Sequence, residues 1–260
     1  MKIALIGAGN MGEAILAGTH RKHRLLVVEP RKSRQVFLRR KYRCVFGALD
    51  LVVKSADVIV LAVKPQDFPM VLAELATVPL KGKLVISIAA GVTTRFVEKA
   101  LRQPVRVVRV MPNLPALIGE GVTAITRGSR ATHGDLERAT QIFSAVGATL
   151  IVKENMMNAV TALSGSGPAY VFLFVECLME AARKTGFDDK EARELVYKTL
   201  LGSAHMLTKS SDNAETLRLM VTSKGGTTQA ATDVFMKRDI FGVYSAGLKA
   251  ARDRAKELSK

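Results

Sequence analysis

Short apolar runs alternate with stretches of helical period along the first part of the chain. Runs of strand length cover residues 2–6, 25–29, 57–63, 84–88 and 105–110. Continuous apolar strands separated by helices are typical of a parallel sheet that is covered on both faces. Residues 122–126 and 149–152 add two shorter strands around a helix that we expect to begin at Thr132, with Asp135 in its first turn. The pattern therefore predicts a doubly wound α/β sheet.

The pattern changes near residue 153, beyond which only helical periodicity remains. The predicted helices cover residues 170–184, 188–207, 214–221, 229–235 and 241–258. Asp188 and Glu191 have the spacing of a capping box at the start of the second of these helices. We expect two domains that pack against each other: a doubly wound domain over residues 1–153 and an all-helical domain over residues 154–260.

The helical half is short for a self-sufficient domain, yet one predicted helix presents a wide apolar face. That face comprises Val171, Phe172, Phe174, Val175, Leu178 and Met179. It could be ordinary core within the chain, or it could be buried against a second copy, because apolar faces of this size are seldom left in water. We expect a homodimer or a larger homo-oligomer that forms through this half.

The first strand runs directly into a glycine turn and a helix. The turn is Gly7-Ala8-Gly9-Asn10-Met11-Gly12, and the residues after it continue in helical pattern. In such a turn the first glycine bends sharply, the second lets the backbone approach a pyrophosphate, and the third lets the helix pack close to the strand. The context predicts a dinucleotide-binding domain of the Rossmann type; the alternative is a tight turn with a purely structural role.

The end of the second strand bears on the choice of cofactor. In dinucleotide folds a carboxylate at this place hydrogen-bonds the ribose hydroxyls of NAD, whereas a cation accommodates the 2′-phosphate of NADP. The sequence there is Val28-Glu29-Pro30-Arg31-Lys32. Glu29 favours NADH, while Arg31 and Lys32 favour NADPH, so both cofactors stay open. Glu29 could also be a surface acid that caps a turn.

A formal net charge of +16 is the least usual feature of the composition. Ten Lys or Arg residues fall between Arg21 and Arg43, with Glu29 as the only acid among them. Nucleic-acid binding is disfavoured, because this segment alternates a strand with an amphipathic helix and offers no aromatic stacking surface. We interpret the segment as a solvated basic face, which would also attract an anionic cofactor and substrate.

The sequence gives no sign of a leader, a membrane span or a metal site. The first strand begins at residue 2, and the apolar run over residues 170–182 is interrupted by Glu176 and Glu180. Cys44 and Cys177 lie far apart, with neither a CxxC pair nor a nearby His cluster. We therefore expect a cytoplasmic protein that binds no metal and no membrane.

Five further segments combine glycine, proline and hydroxyl residues in ways typical of ligand-binding loops. They are Ala62-Val63-Lys64-Pro65-Gln66, Ser87-Ile88-Ala89-Ala90-Gly91, Arg109-Val110-Met111-Pro112-Asn113-Leu114-Pro115, Leu163-Ser164-Gly165-Ser166-Gly167-Pro168-Ala169-Tyr170 and Val221-Thr222-Ser223-Lys224-Gly225-Gly226-Thr227-Thr228. The first two stand at the carboxyl ends of predicted strands, where a doubly wound sheet binds its ligands. The last is a turn between two helices, and its N–H groups are suited to holding a carboxylate.

Together with the glycine turn, these segments resemble the pyrroline-5-carboxylate reductases, which make proline by reducing a cyclic imine with NADPH or NADH. The resemblance extends over nearly the whole chain and rests on the family patterns AVKPQ, AAGV, R-MPN-P, LSGSGPAY and SPGGTT. It implies hydride transfer to the C=N bond of 1-pyrroline-5-carboxylate, which gives L-proline. It also implies a dimer whose helical domains complete each other's active sites.

The resemblance assigns cofactor and substrate to different halves of the chain. The cofactor residues would be Ile6, Gly7, Ala8, Gly9, Asn10, Met11, Gly12, Glu29, Ala62, Val63, Lys64, Pro65, Ile88, Ala89 and Ala90. Among these, the glycine turn would hold the pyrophosphate and Glu29 would lie near the adenosine ribose. Lys64 could point at a cofactor phosphate or merely fix its loop. The substrate residues would be Glu154, Ser223, Gly225, Gly226, Thr227 and Thr228.

The candidate chemistry asks for positioning rather than for a strong acid. The imine can arrive protonated, so the main requirement is to hold the reacting carbons about 3 to 3.5 Å apart. We expect Thr228 to be the catalytic residue: its hydroxyl hydrogen-bonds the imine nitrogen, while the backbone amides of Gly225 to Thr228 hold the carboxylate. Thr228 could instead only cap a helix. The four histidines, His20, His23, His133 and His205, lie outside all of these motifs, which disfavours a His-dependent dehydrogenase.

Three positions depart from the family pattern. Lys224 replaces the proline of SPGGTT, Met220 replaces an asparagine before that turn, and the segment 48–50 lacks an asparagine expected near the NADP phosphate. The two missing asparagines weaken the expectation of NADPH. Lys224 would either make the carboxylate loop less rigid or attract the substrate anion. The remaining alternatives are another NAD(P)-dependent imine or hydroxyacid reductase, and a non-catalytic NAD(P)-binding regulator.

Overall fold

The computed structural model describes residues 1–259, so Lys260, the last residue of the predicted helical domain, lies outside the described residues. Within this range one sheet has eight strands. They are β1 (Lys2–Ile6), β2 (Arg24–Val28), β3 (Cys44–Phe46), β4 (Val58–Leu61), β5 (Leu84–Ser87), β6 (Arg106–Met111), β7 (Gly121–Arg127) and β8 (Gly147–Ile151). Their order across the sheet is β3-β2-β1-β4-β5-β6-β7-β8. The predicted doubly wound sheet is confirmed.

Two features of the sheet differ from the sequence analysis. Strand β3 was not predicted, because its three residues, Cys44 to Phe46, follow directly on the basic segment and form no run long enough to stand out. Strand β7 pairs with β6 in the antiparallel sense, whereas the other neighbouring strands pair in parallel. The connection from Met111 to Gly121 is shorter than the dozen or more residues that a parallel crossover needs, so the chain has to turn back.

Helices cover both faces of the sheet. They are α1 (Asn10–Thr19), α2 (Lys32–Lys41), α3 (Leu49–Ser55), α4 (Phe68–Ala76), α5 (Thr94–Leu101) and α6 (His133–Phe143). One buried cluster joins the sheet to α1 and α6, for example through Leu16 and Phe143, and a second joins it to α3, α4 and α5, for example through Leu72 and Val97. The predicted start of α6 is confirmed, since Thr132 and Asp135 form a capping box.

The rest of the chain is helical apart from its turns. The helices are α7 (Met157–Val160), α8 (Gly167–Lys184), α9 (Asp189–Lys209), α10 (Ala214–Met220), α11 (Thr227–Lys237) and α12 (Ile240–Glu257), and a π-helical turn, Thr161–Gly165, joins α7 to α8. Asp188 and Glu191 form the predicted capping box before α9. The five helices predicted in this half are therefore confirmed, although α8 begins three residues and α11 two residues earlier than expected.

The chain divides into two compact units. One holds Met1–Pro168 together with the residues from Ala250 onward, and the other holds Ala169–Lys249. This division falls inside α8 and α12, because each of these helices passes from one unit into the other. The domain boundary between residues 153 and 154 stays a prediction.

Residues 154–184 form a helical stretch that is long and apolar enough to cross a membrane, by length and composition alone. No such stretch is expected from the apolar run over residues 170–182, which Glu176 and Glu180 interrupt, but the helical turns before residue 170 lengthen it. Only 6% of the most apolar part of this stretch is buried within the chain. Its apolar side chains therefore need a partner surface that the single chain does not supply.

Candidate active site

The predicted cofactor residues lie near the topological switch point of the sheet, where the strand order changes direction between β1 and β4. Strands β1 and β4 are neighbours, although β2 and β3 come between them in the sequence. The Ala62 amide donates to the Ile6 carbonyl at 2.8 Å, and the Ile88 amide donates to the Leu61 carbonyl at 3.2 Å. A side chain on Gly7 would come within 2.8 Å of the Ala62 carbonyl oxygen. The structure thus places the glycine turn directly beside the segment 62–65, at the edge where such sheets bind ligands.

The glycine turn is open on the side where a pyrophosphate would lie. Helix α1 begins at Asn10, its N-cap is Gly9, and no side chain caps it. The first amides of a helix have no acceptor within the helix, so those of Asn10, Met11 and Gly12 are available to an anion. A Cβ added to Gly9 would meet nothing within 4 Å. This open cradle under unpaired donors fits the pyrophosphate of a dinucleotide.

Alanine substitutions at the two glycines should change different properties: Gly9→Ala should weaken cofactor binding, and Gly12→Ala should lower stability. Gly9→Ala is expected to change the free energy of unfolding by less than about 1 kcal/mol, because φ is −67° and the added methyl meets open space. It should still weaken NADPH binding about tenfold, since the methyl takes the room that the pyrophosphate needs. Gly12→Ala would bring a methyl within 2.5 Å of the Gly7 carbonyl oxygen and should cost about 1–3 kcal/mol of stability.

Thermal unfolding and fluorescence titration with NADPH would separate these two effects. Unchanged NADPH affinity in Gly9→Ala would contradict the assignment of the turn to the pyrophosphate.

Glu29 ends up facing the glycine turn. Its Oε2 accepts from the Ala8 amide at 3.2 Å and from Nη2 of Arg31 at 3.0 Å. Its Oε1 accepts from the Arg31 amide at 3.0 Å and from Nε of Arg31 at 2.8 Å. Burial alone would raise the pKa of Glu29, but the hydrogen bonds from Arg31 and Ala8 outweigh it and hold the pKa below the ordinary 4.5. The carboxylate, 5% exposed, is therefore ionised and its four lone-pair positions are in use.

The other predicted cofactor residues divide into buried and exposed positions. Ala89 is buried, and Ile88 and Ala90 are half-buried in the loop between β5 and α5. The buried Ser87 hydroxyl accepts from the Ala89 amide at 3.3 Å, which ties the start of this loop to the end of β5. Lys64 and Pro65 are exposed.

An ion pair between a buried arginine and a half-buried glutamate connects β6 to the segment after β8. Arg109 is 2% exposed, and its Nη1 donates to Oε1 of Glu154 at 2.8 Å. The other carboxylate oxygen accepts from the Thr94 hydroxyl at 3.3 Å, at the start of α5. Nε and Nη2 of Arg109 are buried without a partner among the described residues. Glu154, expected at the substrate, thus contacts the start of α5, the helix that follows the loop carrying Ile88 to Ala90.

Sequence reasoning assigned no role to Arg109 itself. A usable signal was present, because Arg109 interrupts an otherwise apolar strand, and a charged residue in such a place nearly always has a buried partner. The identity of that partner could not be read from the sequence, since Glu154 lies 45 residues further on.

The predicted substrate residues fall in both compact units, with Glu154 in the first and Ser223 to Thr228 in the second. Gly225 has φ of +73°, which favours glycine, and its amide donates to Oε1 of Gln229 at 2.7 Å. The Gly226 amide donates to the Ser223 carbonyl at 3.0 Å. Since α11 begins at Thr227, the amides of Thr227 and Thr228 have no acceptor within the helix. Of the four amides predicted to hold a carboxylate, those of Gly225 and Gly226 therefore have partners within the chain, whereas those of Thr227 and Thr228 have none within the helix.

Among residues 1–259, no group of three or more His, Cys, Asp or Glu residues is arranged to hold a metal ion. None of the four histidines belongs to either glycine turn. His20 and His23 follow the end of α1, His133 begins α6, and His205 lies on α9.

Comparison with known proteins shows which family the chain resembles over its full length. A family model described as pyrroline-5-carboxylate reductase dimerisation matches residues 154–258. A pyrroline-5-carboxylate reductase from Methanosarcina acetivorans is 39% identical, over 100% of this chain and 98% of its own length. The enzyme from Haemophilus influenzae is 38% identical, over 98% of this chain and 97% of its own. The chain belongs to the pyrroline-5-carboxylate reductase family. The resemblance stated from the motifs is confirmed.

Solved structures of this family superpose on the whole chain. A pyrroline-5-carboxylate reductase from Coxiella burnetii has a TM-score of 0.92 and 37% identity, and the match covers 99% of this chain and 98% of the other. The Plasmodium falciparum pyrroline carboxylate reductase, solved with NADP bound, has a TM-score of 0.89 and 29% identity, with coverage of 100% and 98%. A second family model, described as NADP oxidoreductase, coenzyme F420-dependent, matches residues 2–91. The α/β fold with a following helical dimerisation domain is therefore confirmed.

The dimerisation domain accounts for the exposed apolar helices. Large apolar side chains of α8 such as Phe172 and Leu173 are more than half exposed in the single chain. They lie inside the range that matches the reductase dimerisation model. The match to a dimerisation model confirms the predicted homo-oligomer.

Proposed function

We propose that this chain reduces the C=N bond of 1-pyrroline-5-carboxylate with NADPH and releases L-proline. One observation carries the proposal. The chain is related over its full length to these reductases, and both of its glycine turns have backbone amides that are open to an anion. The turn before α1 leaves three amides open to a pyrophosphate, and the turn before α11 leaves two open to a carboxylate. Each is the N-terminus of a helix, where the backbone favours an anion.

The residues of the chain bind and orient rather than transfer protons. When bound, the nicotinamide supplies the hydride that the imine carbon accepts, while the π electrons of the C=N bond move onto a nitrogen that already carries its proton. The amides of Thr227 and Thr228 hold the substrate carboxylate, and the Thr228 hydroxyl hydrogen-bonds the ring nitrogen. Holding both reactants in a fixed geometry removes most of the entropic cost of their meeting. Glu154 lies at the substrate edge, and the partner's helical domain completes the site.

We propose NADPH as the preferred cofactor. All four lone-pair positions of Glu29 are engaged by Ala8 and Arg31, so none is left for the two ribose hydroxyls of NADH. The Arg31 side chain is 61% exposed and stands next to the exposed Lys32, so two cations are available to a 2′-phosphate. These two cations offset the loss of the asparagine that is expected near the NADP phosphate and is missing from residues 48–50.

The initial rate of NADPH oxidation with 1-pyrroline-5-carboxylate, followed at the nicotinamide absorbance and compared with NADH, tests the proposed function. Turnover that is faster with NADPH is the expected result. No turnover with either cofactor, in a folded chain that binds them, would contradict it and would favour another imine or hydroxyacid reductase or a non-catalytic regulator.

Arg31→Ala should lower the ratio of kcat/KM for NADPH to that for NADH about tenfold, because one phosphate contact is lost and Glu29 gains free lone pairs. Steady-state kinetics with both cofactors measure this ratio. Arg21→Ala, which removes an exposed cation of the same basic segment, is the matched control. An unchanged ratio in Arg31→Ala would show that Arg31 does not select the cofactor.

The expected cytoplasmic location, and the expectation that neither nucleic acid nor a membrane is a partner, stay predictions. So do the individual cofactor and substrate residues, which the Gly9, Arg31 and Thr228 variants test directly.

A further inference from the structure

Arg34 reaches from α2 back to the glycine turn. Its Nε donates to the Ala8 carbonyl at 2.9 Å, and its Nη2 donates to the Gly9 carbonyl at 3.4 Å and to Oε2 of Glu13 at 2.5 Å. The Arg34 side chain is 21% exposed. One guanidinium therefore contacts two consecutive carbonyls of the turn and a carboxylate in the first turn of α1.

These contacts determine where the amides of the turn point. In a planar trans peptide the C=O and the N–H point in opposite directions. The Ala8 carbonyl shares its peptide with the Gly9 amide, and the Gly9 carbonyl shares its peptide with the Asn10 amide. Arg34 holds the Ala8 carbonyl, and Arg34 together with the Glu13 amide, which donates at 2.8 Å, holds the Gly9 carbonyl. The amides of Gly9 and Asn10 therefore point away from these donors.

Glu29 holds the preceding peptide from another direction. Its Oε2 accepts from the Ala8 amide at 3.2 Å. Ala8 therefore has its N–H bound by a carboxylate and its carbonyl bound by a guanidinium. Neither group can rotate without breaking a charge-assisted hydrogen bond, and such bonds are stronger than neutral ones.

Arg34 is itself held in place. Glu13 also accepts from Nζ of Lys41 at 2.9 Å and from the Tyr42 hydroxyl at 3.0 Å. The Arg34 guanidinium lies over the Phe37 ring, 5.2 Å from its centre. A flexible arginine that is gripped on several sides loses little further freedom when the cofactor arrives, so the turn is pre-organised.

We propose that Arg34 is a positioning residue for the cofactor: it holds the turn Gly7 to Gly9 in the conformation that aims the first amides of α1 at the pyrophosphate. The proposal rests on the proposed function only for the identity of the ligand as a nicotinamide dinucleotide. Arg34 acts on the part that NADH and NADPH share. Its loss must therefore weaken both cofactors equally, whereas a direct contact with the 2′-phosphate would matter for NADPH alone.

Direct binding tests the proposal without turnover. NADPH and NADH are titrated by fluorescence into the full-length protein and into Arg34→Met, Arg34→Lys and Arg40→Met. We expect Arg34→Met to raise the Kd of both cofactors about tenfold, and Arg34→Lys, which keeps the charge but not the fork, to raise both about threefold. Arg40 is exposed on the same helix, so Arg40→Met should match the wild type.

Two further measurements separate positioning from general stability. Amide hydrogen exchange without cofactor should be faster in Arg34→Met at Ala8 and Glu13, whose amides are hydrogen-bonded to Glu29 and to the Gly9 carbonyl, and unchanged in β5. In turnover, KM for the cofactor should rise while kcat and KM for the imine stay constant. Unchanged Kd in Arg34→Met, or a loss confined to NADPH, would overturn the proposal. If Arg34→Met does not fold, Arg34→Lys decides the question. Wild-type affinity for both cofactors in Arg34→Lys, together with amide exchange in the turn that is no faster than in the wild type, would also overturn the proposal.

Failure of the proposed reaction is a separate outcome. A wild-type protein that binds both cofactors and does not reduce 1-pyrroline-5-carboxylate would refute the substrate, yet the role of Arg34 would still be decided by the binding data.

Discussion

Replacing Thr228 by alanine is expected to lower kcat about 100-fold without unfolding the protein, since losing the fixed geometry of a bound reactant costs a factor of this order. The proposed hydrogen bond from Thr228 to the ring nitrogen is the contact that disappears. Its backbone amide stays, so binding of the substrate carboxylate should change little. The alternative role of Thr228 as a helix cap does not apply, because the N-cap of α11 is Gly226.

Steady-state kinetics with saturating NADPH, together with thermal unfolding at one protomer concentration, would measure this effect. Thr228→Ser keeps a hydroxyl and should recover most of the rate. Thr208→Ala is a matched control, because the Thr208 hydroxyl donates only to the backbone of its own helix, at His205. Normal kcat in Thr228→Ala, or a Thr228→Ser variant that is equally slow, would refute the assignment.

Glu154→Ala is expected to lower the free energy of unfolding by about 3–5 kcal/mol, which is typical when a buried charge loses its partner. Arg109 is 2% exposed, and two of its three nitrogens already lack a partner among the described residues. Removing the carboxylate leaves the guanidinium buried and unpaired. Arg109→Met should cost less, about 1–2 kcal/mol, because the Glu154 side chain is 33% exposed and can regain water.

Denaturant unfolding of the wild type, both single variants and the Arg109→Met/Glu154→Ala double variant at one protomer concentration tests this inequality. The double variant should be more stable than Glu154→Ala alone, since it no longer buries a charge. Thr94→Val, which removes the 3.3 Å hydrogen bond to Glu154 and keeps the ion pair, is the milder control. Equal losses in the two single variants would contradict the argument from burial.

Local signals in the sequence predicted most of the elements. The capping residues Thr132 and Asp188 stand directly before α6 and α9, and the glycine turn stands directly before α1. These features depend on residues a few positions apart, so they can be read along the chain. The start of α11 was placed two residues late, because Thr227 and Thr228 look like part of the glycine turn until the helix N-cap is known.

The sequence by itself determined most of the strands and helices, the glycine turns and the family, because these rest on short spacings and apolar periodicity. Only the tertiary structure decided which charges pair. Glu29 and Arg34 meet the Ala8 peptide from 21 and 26 residues away, and Arg109 meets Glu154 across 45. Such pairs depend on which strands are neighbours in the sheet and on whether neighbouring strands run parallel or antiparallel. Strand β7, which pairs with β6 in the antiparallel sense, is an example. A charged residue in an apolar segment indicates that it will need a partner once it is buried. Which residue becomes that partner depends on how distant elements pack.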